Sequence, residues 1–187
     1  MNKRERAALE LHEFFTRLSV PYAIIGGMAV QYWGEPRFTQ DVDLTIAAPL
    51  DDPDRLIRAI VEQFSSRIED PTAFALRNRV LLVRASNGCP VDISLALPGY
   101  EDELMRRAVL YELASGRMVR LCSAEDLIIH KAVAGRPQDV RDIEGVVYRQ
   151  RDRLDARYIR RWLKEFADLL ARPDILDHFE RPWSKLR

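Results

Sequence analysis

The sequence predicts an α/β fold, with a mixed-sheet body over residues 1–122 and a C-terminal helical part over residues 123–187. Three observations carry this. Short apolar or alternating runs between residues 22 and 121 have the length and period of strands. Stretches between and before them repeat apolar residues at helical spacing. After Ser123 the strand-like runs stop and three helical patterns follow one another. The boundary is soft, because the two halves can share one core.

In chain order, residues 4–18 place Leu9, Leu11, Phe14, Phe15 and Leu18 on one helical face, and Ser19-Val20-Pro21 ends that helix. Tyr22-Ala23-Ile24-Ile25 is a buried strand stopped by Gly26-Gly27, and residues 28–33 form a short helix. After a loop at 34–37, residues 41–47 alternate, with Val42, Leu44 and Ile46 on one face and Asp41, Asp43 and Thr45 on the other. Asp51-Asp52-Pro53 supplies capping chemistry for a helix over 54–64. Residues 79–84 and 90–95 are strands joined through Asn87-Gly88, a hairpin signal. A helix over 100–110 and a strand over 118–121 complete the body. Ser123 and Asp126 make a capping box ahead of Leu127-Ile128-Ile129. Helices follow over 123–133, 138–150 and 156–170, and residues 172–187, with two prolines, read as a loosely packed arm.

The chain carries 29 Lys+Arg against 29 Asp+Glu, a net charge of +0 over 187 residues. Global attraction to nucleic acid or membrane is therefore excluded, and binding to either needs a local patch. No run approaches the roughly 20 apolar residues of a membrane span. The charged first ten residues lack the apolar stretch of a signal peptide. Cys89 and Cys122 are too few for a disulfide framework or a thiolate zinc site and suit a cytoplasmic protein. The expectation is a cytoplasmic protein with no membrane partner.

The acids of the alternating strands carry the chemistry. Residues i and i+2 of a strand share a face, so Asp41 and Asp43 present two carboxylates side by side. Like charges so close make sense chiefly around a cation, and hard oxygen donors suit Mg²⁺. Asp92, between Val91 and Ile93, repeats the pattern. If its strand neighbours that of Asp43, three carboxylates converge, enough for two metal ions and in-line phosphoryl chemistry. Gly26-Gly27 ahead of a helix lets a phosphate approach backbone N–H groups, although a tight turn alone also explains it.

Gly26-Gly27, the spacer 28–40, Asp41-x-Asp43 and the distant Asp92 resemble the DNA polymerase β-type nucleotidyltransferase superfamily over roughly residues 20–145. Arg37-Phe38-Thr39 and the segment Arg136-Pro137-Gln138-Asp139-Val140-Arg141-Asp142 are similar to motifs of AbiEii-type toxin nucleotidyltransferases, with Gln138 where those carry Lys. The resemblance implies a mixed-sheet nucleotidyltransferase body and transfer of a nucleoside monophosphate from a nucleoside triphosphate to an acceptor hydroxyl. Asp41, Asp43 and Asp92 would be the catalytic, Mg²⁺-binding acids. Gly26, Gly27, Arg37, Thr39, Lys131 and Arg136 would bind the nucleotide. The acceptor would be RNA such as tRNA, or a protein, in a toxin–antitoxin setting with a cognate antitoxin or toxin as partner. The alternatives are a small-molecule transferase resembling the aminoglycoside and lincosamide enzymes, and a non-catalytic toxin–antitoxin binding partner.

Other residues divide less sharply. Lys131 is equally a phosphate ligand or a solvated helix residue, and Asp139 and Asp142, at i and i+3, read first as caps or braces. Arg77, Arg79 and Arg84 read as solvated strand ends. His12, His130 and His178 lack zinc spacing. Arg149, Arg151, Arg153, Arg157, Arg160 and Arg161 form a basic run whose default reading is a solvated face, with RNA phosphate contact as the alternative. Trp162, Phe166 and Leu169 share a face expected to be core or partner groove, and Tyr32 and Trp33 are expected to fill core before stacking on a base.

Overall fold

In the computed structural model, which describes residues 1–49 and 51–186, the chain divides into two units. One comprises Met1–Met28 and Thr39–Cys122, the other Ala29–Phe38 and Ser123–Arg187.

The first unit opens with α1 (Lys3–Arg17), whose N-terminus is closed by a reciprocal cap: Glu5 N–H donates to Asn2 Oδ1 (3.0 Å) and Asn2 N–H to Glu5 Oε2 (2.8 Å). Strand β1 (Tyr22–Ile24) leads to α2 (Gly26–Trp33), which begins in this unit and ends in the other. Then come β2 (Val42–Ile46), α3 (Asp54–Gln63), β3 (Ser65–Ser66), α4 (Pro71–Asn78), β4 (Val80–Arg84), β5 (Pro90–Leu95), α5 (Tyr100–Arg107), β6 (Val109–Ala114) and β7 (Arg117–Leu121). The strands form one mixed sheet in the order β3-β4-β5-β2-β1-β7-β6. Strand β2 runs antiparallel to β1 and parallel to β5. Its inner residues Val42, Leu44 and Ile46 are fully buried, as are Val91 and Ile93 of β5 and Phe15 of α1. Phe14 meets Phe15 and Phe64 edge to face at centroid distances of 5.2 and 5.1 Å.

The α/β architecture with a mixed sheet is as the sequence predicts, but local features differ. The expected helix at 100–110 stops at Arg107, and residues 109–114 become an edge strand antiparallel to β7. Val109 and Tyr111 are residue types that favour strands, and the turn at Gly116 (φ +72°) lets this segment pair. Helix α4, capped by Asp70 Oδ1 accepting from Ala73 N–H, has no counterpart in the sequence reading. Its short, weakly periodic sequence leaves little to read.

The second unit contains α6 (Ala124–Ala134), α7 (Pro137–Gln150), α8 (Ala156–Leu170) and α9 (Asp174–Ser184), with a 3₁₀ turn at Arg151–Arg153. The sequence expects a loose arm after 172. Instead α9 is anchored by Ile175 and Phe179, both fully buried, and Glu180 pairs with Arg160 of α8 at 2.5 Å. Pro173 precedes the helix, and Pro182 lies inside its last turn, where its missing N–H removes one intrahelical bond without ending the helix. On α8, Trp162 is buried as expected, whereas Leu169 is 78% exposed. Residues 29–38, which the sequence places in the body, group with these helices. Arg149 and Gln150 donate to the carbonyls of Gly34 (2.7 Å) and Trp33 (2.6 Å), and Gly34 packs on Val146. Among the described residues no helix is long and apolar enough to cross a membrane, and Cys89 and Cys122 form no disulfide.

Candidate active site

Strand pairing builds the acidic site in the first unit. Val42 and Leu44 face the core, which turns Asp41 and Asp43 to the opposite, half-buried face. The parallel register of β2 and β5 sets Asp43 opposite Asp92 and Val42 opposite Val91. Neighbouring strands lie about 4.8 Å apart, so Asp43 and Asp92 start from adjacent points of one face.

The glycine pair is a seat for these acids. Gly26, at φ +60° and the first residue of α2, lies so close to Asp43 that a Cβ there would overlap its carboxylate. The Ile25 N–H donates to the Asp43 carbonyl at 2.9 Å, fixing strand and turn together. A Cβ on Gly27 would stand 2.6 Å from Thr39 Oγ1. Thr39 is buried and donates this hydroxyl to Asp41 Oδ1 at 2.7 Å. Thr39 therefore orients the first acid. Asp43 gains from its place beside a helix N-terminus, where the backbone dipoles favour negative charge.

Asp92 is ion-paired with Arg67 through Nη1 and Oδ1. Sequence reasoning missed Arg67, and no local signal marks it. The pairing depends on Arg67 N–H donating to Leu82 O (2.9 Å) and on Leu82 standing opposite Asp92 in the β4–β5 register. Among the described residues no three His, Cys, Asp or Glu side chains are gathered closely enough to enclose a metal ion. The backbone brings the acids to one face, while Thr39 and Arg67 hold two of the carboxylates. The donor set of carboxylate oxygens still fits a hard divalent cation.

Arg37, Lys131 and Arg136 lie in the second unit and form an ion cluster with Asp139 and Asp142. Lys131 Nζ is 2.7 Å from Asp139 Oδ1 and 2.8 Å from Asp142 Oδ2. Its side chain is 8% exposed, so the solvated reading of Lys131 does not hold. Arg37 grips Asp142 with both arms of its fork, Nε at 2.8 Å and Nη2 at 2.9 Å. Arg136 Nε lies 2.6 Å from Asp139 Oδ2, and Gln138 Nε2 donates to Asp142 Oδ1 at 2.9 Å. Burial pushes both carboxyls up. The hydrogen bonds of Arg136 and Lys131 to Asp139, and of Arg37, Lys131 and Gln138 to Asp142, outweigh it and hold both below the usual carboxylate range. Asp139 and Asp142 thus brace the unit, as their spacing suggests.

The basic run is exposed at Arg149, Arg151, Arg153, Arg157 and Arg161, the solvated face of its default reading, and several of its side chains also bind within the unit. Arg149 binds Gly34 O, Arg153 binds Arg149 O (3.1 Å), and Arg160 binds Glu180. Arg151 and Arg161 lie over the rings of Tyr148 and Trp162 at 4.8 and 4.6 Å. In the first unit Arg79 is not a solvated strand end: it donates to the carbonyls of Leu95 (3.1 Å) and Ala96 (2.8 Å).

A glycine turn opens a helix, Asp41 and Asp43 stand at the start of β2, and Asp92 lies opposite Asp43 on the parallel neighbour β5. Residues 5–172 match the DUF6036 family, described as a nucleotidyltransferase of unknown function, and the chain belongs to that family of transferase enzymes. Three solved structures share the fold. An antigenic nucleotidyltransferase-like protein from Paracoccidioides brasiliensis is 18% identical, with a TM-score of 0.55 over 94% of this chain and 91% of the other. The lincosamide antibiotic adenylyltransferase LnuA, bound to lincomycin, is 12% identical, with a TM-score of 0.51 over 78% and 98%. ANT(2")-Ia, in complex with adenylyl-2"-tobramycin, is 19% identical, with a TM-score of 0.51 over 88% and 95%. No protein of curated function matches the sequence significantly.

Proposed function

We propose that this nucleotidyltransferase moves a nucleoside monophosphate from a nucleoside triphosphate to an acceptor hydroxyl, with Mg²⁺ held by Asp41, Asp43 and Asp92. The observation that supports this best is the parallel register that sets Asp92 beside Asp43 on the face carrying Asp41, against the glycine seat. When bound, the cation neutralises the triphosphate and the charge that develops on the leaving pyrophosphate. Thr39 orients Asp41 for this role, and Gly26 leaves room for the Asp43 carboxylate. The first N–H groups of α2 lack intrahelical acceptors and offer donors to phosphate oxygens. The acceptor oxygen bonds to the α-phosphorus as the bond to pyrophosphate breaks, and the hydroxyl proton passes to Asp92. The chain contributes position and electrostatics, without a covalent enzyme intermediate.

The acceptor we favour from the AbiEii-like motifs is an RNA or protein hydroxyl, in the cytoplasm, with a cognate toxin or antitoxin as partner. A small-molecule hydroxyl is the second reading. The ion pairs of Arg160 with Glu180 and Arg161 with Glu165, and the dilution of the run by Asp152 and Asp155, favour it, because they lower the positive charge a polyanion would meet. So do the lincomycin and adenylyl-tobramycin ligands of two structures that share the fold.

The test is a panel of four α-labelled nucleoside triphosphates against total tRNA, protein, lincosamide and aminoglycoside acceptors, with and without Mg²⁺. Label should enter one acceptor class only with Mg²⁺, and Asp43→Asn should cut transfer by about 10³-fold. Transfer that survives this substitution would refute the assigned site.

A further inference from the structure

We propose that Arg67 is a built-in counter-cation of Asp92 that competes with the divalent ion for that carboxylate. The inference rests on the metal reading above and concerns a residue outside the acidic set. Asp43 and Asp92 stand opposite each other in the β2–β5 register. Like charges at neighbouring positions on one face repel, so a cation beside them is stabilising.

Arg67 supplies it. Its backbone is tied by the N–H bond to Leu82 O at 2.9 Å, and Leu82 is the register partner of Asp92. The guanidinium is thereby delivered to Asp92 from the neighbouring strand. The Arg67 and Asp92 side chains are 27% and 37% exposed, so the pair is accessible and weakly held, unlike the buried Lys131 cluster. A cation binding Asp92 must displace the guanidinium from Oδ1, or share the carboxylate with it against repulsion between positive charges. The cost of opening the ion pair therefore lowers the apparent affinity for metal. Arg67 sits just beyond the two-residue strand β3 (Ser65–Ser66), so its side chain can swing away without breaking a long ladder.

The full chain is titrated with Mn²⁺, alone and with α,β-methylene-ATP, and binding is followed by calorimetry and by the electron paramagnetic resonance signal of free Mn²⁺. Arg67→Met should bind Mn²⁺ about five- to tenfold more tightly than the native chain. Arg67→Lys, which keeps the charge, should stay within about twofold of native, which separates competition from misfolding. The gain should vanish on an Asp92→Asn background. Unchanged or weaker Mn²⁺ binding by folded Arg67→Met, while Asp43→Asn abolishes binding, overturns the role of Arg67 and leaves the metal site standing. Mn²⁺ binding that neither Asp43→Asn nor Asp92→Asn alters overturns the metal reading itself.

Discussion

Replacing Lys131 by Met removes one positive charge from between two acids while keeping most of the side-chain volume. Asp139 and Asp142 are 1% and 2% exposed in their side chains, so water cannot take over the lost bonds. Breaking one member of a buried ion pair costs about 3–5 kcal/mol, because a charge is stranded. Here neither acid is stranded completely. Asp142 keeps the Arg37 fork, and Asp139 keeps Arg136. Arg136, however, is 75% exposed and compensates weakly. The expected loss is thus near the lower bound, about 3 kcal/mol, or about 6–12 °C in Tm for a chain of this size. Urea and thermal unfolding followed by circular dichroism measure it. Lys131→Met/Asp139→Asn removes the least compensated carboxylate and should recover about 1–2 kcal/mol relative to simple addition. A loss under about 1 kcal/mol with additive effects would refute the view that this cluster holds the helical unit together.

Gly26→Ala forces an L side chain into φ +60° and into the space of the Asp43 carboxylate. It should cost about 1–3 kcal/mol and lower transfer at least as far as it displaces Asp43, read by the labelled-nucleotide assay beside a melting curve. Phe179→Ala should destabilise by about 3–5 kcal/mol in chemical denaturation, because Phe179 is fully buried, whereas a loose arm would show no change. Acid should act in two windows. His130 is pushed down to about 4, first by burial of the ring and then by the Lys131 charge. The unfolded chain therefore binds the extra proton first, and stability falls as pH drops from about 6.5 towards 4. Asp139 and Asp142 have lowered folded pKa values, so their contribution holds above the unfolded carboxylate value of about 3.9 and is lost as pH falls through the folded values. Urea midpoints from pH 8 to 3 check both, and His130→Gln should remove only the upper window.

The acidic face was legible because a strand has a two-residue period: Val42 and Leu44 pointing inward dictate where Asp41 and Asp43 go, and Asp92 between Val91 and Ile93 repeats the rule. The Gly26-Gly27 turn was legible as well, because few other residues tolerate its backbone or the space it leaves. The tail was misread because two prolines weigh against a helix in the sequence, whereas Pro173 stands just before α9 and Pro182 lies inside its last turn, in a helix anchored by the buried Ile175 and Phe179. Lys131 gave no local sign of burial, since its partners Asp139 and Asp142 come from the next helix. What the sequence alone determined is the periodic part: which side chains share a strand face, and where the chain must turn. What only the tertiary structure decided is which strand lies beside which and which cation answers each acid. Arg67 on Asp92 and Arg37 on Asp142 join residues 25 and 105 positions apart, and no local pattern encodes a partner at that separation.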